Sequence, residues 1–154
     1  MARISYQNLI KERRAWYKTI EKVYCPCLRE NIVFNSKGFY HLKYDGLNKA
    51  RSKKERMYRI GLLPLTVPVI KSAKKVYKYT PRIYSKKINK YVEYWALREI
   101  VGKRKALVTV ILRRIGNGQI TFYSVMKRSS GKKSNSPRRT SGGKIGKTSK
   151  KPLK

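Results

Sequence analysis

The sequence predicts an α+β domain in which N-terminal helices pack on a four-stranded antiparallel β-meander, followed by a flexible basic tail. Three observations predict it. Apolar residues recur at helical spacing through the first half of the chain, whereas the second half carries Val-, Ile- and Tyr-rich runs of strand length divided by polar or Gly-containing breaks. From Lys127 onward there is no aromatic and no acidic residue, so that stretch cannot bury enough apolar surface to offset its ordering entropy. The chain therefore divides into a domain over 1–126 and a tail over 127–154.

The first helix is expected from about Ser5 to Tyr24, because Tyr6, Leu9, Trp16, Ile20 and Val23 recur at spacings that fit one face, interrupted by Arg13. Asn31 to Asn35 then form a short apolar run. Ser36 can cap a second helix that ends near Asp45-Gly46. At about 100° per residue, Phe39 and Leu42 share one side of this helix and Lys37, His41 and Tyr44 cluster on the other. Ser52-Lys53-Lys54-Glu55 matches a capping box ahead of Met57 and Ile60, and the helix it opens should stop near Leu63-Pro64. Thr66 and Pro68 read as a cap and an early helical proline, with Val67, Ile70 and Ala73 on the apolar side.

Strands are expected over Val76–Tyr84, Tyr91–Val101, Ala106–Ile115 and Gln119–Met126. The sharpest local signal is Gly116-Asn117-Gly118, since Asn-Gly supplies the positive backbone angles of a tight hairpin. With Asn117 and Gly118 as its loop, Arg113 would face Phe122 and Ile111 would face Ser124 on one side of the ladder. Val110, Leu112, Tyr123 and Val125 would share the other, core side.

Charge narrows the partners. The 154 residues carry 40 Lys plus Arg against 7 Asp plus Glu, a formal net charge of +33. A surplus of that size calls for a polyanion, and binding phosphates releases condensed counterions, so the expected partner is nucleic acid, RNA above all. The tail holds 11 of the cations, and 29 remain against all 7 acids in 1–126, so the domain is cationic in its own right. No stretch reaches the apolar length of about 20 residues that a spanning helix needs, and the start lacks the apolar core of a signal peptide. A cytoplasmic protein with no membrane partner is the expectation. Cys25 and Cys27 flank Pro26, too close for an ordinary disulfide, and with the lone His41 they fall short of a closed zinc site. Asp45 and six scattered Glu do not make the carboxylate cluster of a two-metal nuclease.

The succession NSKGFYHLKYDG, a basic helical region ending in RIGLLPLTVPVIK, then VEYWALREI and finally RRIGNGQITFYSV resembles the barnase, EndoU, colicin E5/D and RelE group of small metal-independent ribonucleases, in its phage and mobile-element branch. The resemblance covers about residues 28 to 126. It implies a four-stranded antiparallel sheet with N-terminal helices that grips or cuts RNA on the sheet, with no cofactor, and an acidic antitoxin or immunity protein as partner. By position it implies that His41 matches the helix histidine, Arg113 a strand arginine and Ser124 the hydroxyl residue of the last strand. Other members use pairs of histidines or a strand glutamate, and this chain has a single His.

The chemistry of RNA fits the same residues. RNA carries its own nucleophile in the 2′-hydroxyl, so a protein needs a base, an acid and cations around the developing charge. His41 is the candidate base or acid, with Glu93 as the alternative base. Arg113 and Lys37 would stabilise charge and Ser124 would hold the phosphate. Tyr44, Arg51, Arg56, Arg59, Arg114, Lys127, Arg128, Arg138 and Arg139 are the further candidates for RNA contact. Two other readings stay open: a non-catalytic RNA-binding protein of ribosomal type, and a DNA-packaging or phage architectural protein, although no helix-turn-helix or finger signature is present.

Overall fold

The computed structural model describes residues 5–45 and 47–127. Its order is α1 (Tyr6–Ile20), β1 (Lys22–Cys25), β2 (Glu30–Val33), α2 (Ser36–Lys43), α3 (Lys53–Leu62), a 3-10 turn (Leu63–Leu65), α4 (Thr66–Ser72), β3 (Lys78–Ser85), β4 (Lys90–Val101), β5 (Ala106–Ile115) and β6 (Ile120–Lys127). The fold is α+β, but the sheet has six strands rather than four, in the order β1-β2-β6-β5-β4-β3. The expected meander forms its β3 to β6 portion. β6 also pairs in parallel with β2, where Val33 meets Thr121.

Of the two additional strands, β1 comes from the end of the stretch expected to be helical and β2 from the short apolar run that follows it. Ser5 caps α1 by accepting from the Asn8 N–H, but the helix stops at Glu21, which takes a positive φ of 57°. Beyond it Val23 and Cys25 are buried while Lys22 and Tyr24 are exposed, a period of two that belongs to a strand. Cys25-Pro26-Cys27 opens the turn of a hairpin, closed where the Arg29 N–H donates to the Cys25 carbonyl at 2.7 Å, and both thiols are free.

The other helix signals are local and mostly hold. Asn35, not Ser36, caps α2, its side chain accepting from the Gly38 N–H at 3.3 Å. Ser52 caps α3 as expected, but the Glu55 carboxylate turns to Arg59 instead of closing the capping box. Thr66 is the first helical residue of α4 rather than its cap, and its hydroxyl donates to the Leu63 carbonyl.

One core lies between the helices and the sheet face that carries Trp95, Leu97, Val108, Val110, Leu112, Phe122 and Val125. α4 contributes Val69 and Ile70, α3 Ile60, and α2 Phe39 and Leu42. α2 lies directly on β6. A Cβ on Gly38 would come 2.7 Å from the Phe122 carbonyl oxygen and would also strike the Tyr17 hydroxyl, so only glycine permits that approach. Phe122 stacks on Phe34 with centroids 5.0 Å apart and planes 4° apart, and Tyr17 meets both rings.

The β5–β6 ladder carries a bulge that the simple hairpin register does not contain. Ile111 pairs with Ser124 as expected, but Leu112 pairs with Phe122 and Arg113 with Thr121, leaving Tyr123 as the extra residue. The correction has a packing cause. Phe122 keeps its place in the core at 1% exposure, and the added residue lets Tyr123 leave the core side to which simple alternation assigns it.

Candidate functional site

The far side of α2 and the second face of the sheet form the site. On α2, Lys37 and His41 point away from the buried Phe39 and Leu42 and help line a cavity. On β5, Arg113 alternates with the core residues Leu112 and Arg114's neighbour Trp95 lies on the opposite face, so Arg113 and its cross-strand partner Tyr94 share the second face. The bulge brings Tyr123 between them. Its ring is 4.3 Å from the His41 imidazole and 5.6 Å from the Tyr94 ring, and the Arg113 guanidinium carbon stands 4.4 Å from its centroid.

His41 and Arg113 thus meet around one tyrosine. Two cavities, of about 320 and 300 Å³, both have Lys37, His41, Arg113 and Ile115 in their walls. The first runs toward Gly118 and Gln119 at the hairpin turn, the second toward Tyr40, Lys87, Tyr94 and Tyr123.

The electrostatics of this junction are one-sided. Burial, then the positive charges of Arg113, Arg51, Lys87 and Lys37, pull the His41 pKa from 6.5 to about 4. Its imidazole is therefore neutral at pH 7. The Tyr123 phenol is held above its ordinary value, chiefly by burial, and stays protonated. Arg113 is only 7% exposed, forms no ion pair among the described residues, and its Nε lacks a hydrogen-bond partner there. A buried guanidinium without a carboxylate is costly, and an anion in the adjoining cavities would relieve that cost.

Other expected site residues are used elsewhere. Ser124 lies on the Arg113 face but lines neither cavity. Its hydroxyl accepts from Arg59 Nη1 at 2.7 Å, and Arg59 also pairs with Glu55 at 2.6 Å. Glu93 is on the opposite, core-facing side of β4, where it accepts from the Tyr79 hydroxyl at 2.5 Å and pairs with Arg114 at 3.4 Å. It lines neither of the two cavities at His41. Arg114 is further neutralised by both Glu30 oxygens at 2.8 Å.

Arg51 joins the site from behind, its Nε donating to the His41 carbonyl at 3.1 Å. Tyr44 stacks on Tyr40 at 4.5 Å, and Arg56 lies over the Tyr6 ring at 5.1 Å. Lys127 ends β6 with an exposed side chain, its backbone tied to the Tyr58 hydroxyl. Arg128, Arg138 and Arg139 lie outside the described residues. Tyr94, Tyr40 and Lys87 were not legible as site residues, and Tyr123 was expected on the core side. Alternation with Arg113 could have found Tyr94, but a bulge at Tyr123 leaves no local signature.

Among the described residues no three His, Cys, Asp or Glu side chains gather, and no helix is long and apolar enough to cross a membrane. No family model matches the sequence, and neither a curated protein nor a solved structure matches it.

Proposed function

We propose that the protein is an RNA-binding, metal-independent endoribonuclease that cleaves through the 2′-hydroxyl. The observation that carries this reading is the neutral imidazole of His41 beside the buried, unpaired Arg113, at the junction of two cavities. A phosphodiester seated at that junction has room for a nucleoside on either side, and its charge compensates Arg113 and Lys37.

The chemistry then follows from the protonation states. Neutral His41 takes the proton of the 2′-hydroxyl, and the 2′-oxygen attacks phosphorus. Arg113, with Lys37 beside it, stabilises the charge that builds on the phosphoryl oxygens. As the bond from phosphorus to the 5′-oxygen breaks, the Tyr123 phenol supplies the proton to the leaving oxygen. Transfer of the proton from imidazolium to phenolate restores the site, leaving a 2′,3′-cyclic phosphate and a 5′-hydroxyl. No step calls for a bound cation.

The reading also accounts for the overall +33 charge, since a polyanionic substrate is drawn to a cationic domain. A toxin-like enzyme of this kind would be restrained by an acidic antitoxin. The test is incubation of pure protein with mixed RNAs in EDTA, with analysis of the product ends. Cyclic phosphate termini are expected, and His41→Ala should slow cleavage by about 10²- to 10⁴-fold while binding holds. Intact RNA, or equal cleavage by His41→Ala, removes the catalytic reading and leaves a cationic RNA-binding protein.

A further inference from the structure

A larger cavity lies away from His41. A groove of about 540 Å³ lies on the other flank of α2, between it and α1. The buried rings of Tyr17, Phe34 and Phe39 form its floor, Tyr40 stands open at its rim, and Arg14, Lys18 and Lys43 stand around it with Glu21 as the one acid. None of the three cations makes an ion pair among the described residues. The Arg14 guanidinium carbon instead lies 5.1 Å from the Phe39 centroid. Tyr40, 40% exposed, lines both this groove and one of the cavities at His41, and Ser36 lines the groove and the other, so the sites adjoin across α2.

We propose that this groove is a second RNA subsite, which takes an unpaired base on the exposed ring of Tyr40 at its rim and the flanking phosphates on Arg14, Lys18 and Lys43. An RNA strand seated at His41 and Arg113 would pass over α2 at Tyr40 to reach it. The inference rests on the ribonuclease reading for the identity of the strand and adds where its flanking nucleotides go. Three observations favour it. Tyr40 offers an exposed ring, and such a ring accepts any base by stacking, because every base has a π-face. The rim is cationic and uncompensated, which matches the polyanion and no apolar ligand. Lys43 is held below its ordinary pKa by burial and by the nearby charges of Arg14 and Arg56, a measure of the positive potential that collects there.

The groove is also a poor substitute for the cleavage site. It contains no histidine, and its phenol on Tyr17 is already used, donating to the Asn35 carbonyl at 2.6 Å. It binds without reacting. Its effect is to make long strands better ligands than short ones.

The test uses fluorescence anisotropy with 2′-O-methyl RNA, which cannot be cleaved through the 2′-position, as a dinucleotide and as an octanucleotide. The variant Arg14→Ala/Lys18→Ala is compared with Lys74→Ala/Lys75→Ala, which removes the same charge from exposed positions outside both cavities. The groove variant should weaken octanucleotide binding on the order of tenfold near 0.1 M salt and reduce the log–log salt slope by about 1.4, the loss of two single-strand phosphate contacts. Its dinucleotide affinity should match that of the parent. Equal losses in the two double variants, or none in the groove variant, would overturn the subsite and leave the cleavage site standing. If the parent protein bound neither oligonucleotide, the ribonuclease reading would fall together with it.

Discussion

His41 is the only histidine in the chain, so its titration can be followed by NMR without assignment. Its pKa is drawn from 6.5 to about 4, a displacement equivalent to about 3 kcal/mol between the two protonation states. Burial is the larger cause and Arg113 the next, so Arg113→Met, which keeps the stem and removes the charge, should return only part of the shift. A partial rise is expected, with the remainder held by burial and by Arg51, Lys87 and Lys37. The sign carries through to stability. A base whose folded pKa is depressed binds its proton more readily when unfolded, so stability should climb from about pH 4 to pH 6.5 and level off above. His41→Gln should flatten that climb. Under the proposed cleavage, the same group would set the acid limb of kcat/KM near pH 4 rather than 6.5, because the base must be neutral in the free protein. The assay is the imidazole Cε1–H chemical shift against pH in parent and Arg113→Met proteins. A parent midpoint near 6.5, or one unmoved by Arg113→Met, would refute the account of the site as a buried imidazole among uncompensated cations.

Three further outcomes follow from the packing and charge. Gly38→Ala should cost about 1–3 kcal/mol and lower Tm by roughly 5–15 °C in a thermal melt, since its methyl would meet the Phe122 carbonyl and Tyr17; an unchanged Tm would mean that α2 does not lie directly on β6. Ser124→Ala should lose about 1.5–3 kcal/mol of stability, as the Arg59 hydrogen bond goes, yet leave the cleavage rate at moderate temperature untouched; a lost rate in a folded variant would return Ser124 to the site. Removal of residues 128–154, which carry 10 of the 40 Lys and Arg, should shrink the salt dependence of RNA affinity without abolishing binding, measured by titration at several salt concentrations; complete loss would place the binding surface in the tail.

Much of the fold was legible because its signals are local. The bounds expected for β5 are those observed, the chain turns at Gly116-Asn117-Gly118 although the positive φ of 58° falls on Gly116 and not on the expected Asn117-Gly118 pair, and Ser52 caps α3. Each of these depends on residues within a few positions of one another, where alternation, turn geometry and capping act. The side of α2 that carries His41 was legible for the same reason, since burial of Phe39 and Leu42 fixes where the other side points.

The remainder depended on residues far apart in the chain. Val23 fits a helical stripe as well as it fits a strand, and only pairing with β2, itself joined to β6, decided the strand. Glu93 and Arg113 sit on neighbouring strands, but the pleat sends them to opposite faces, where Glu93 neutralises Arg114. The bulge at Tyr123 exists because Phe122 is drawn into a stack with Phe34, a residue nearly a whole domain away in sequence. Composition and local pattern alone determined a cationic α+β chain with a histidine on a polar helix face. Tertiary packing decided that His41 would be neutral and Arg113 without a carboxylate, because both depend on which charges are brought close and which are kept apart.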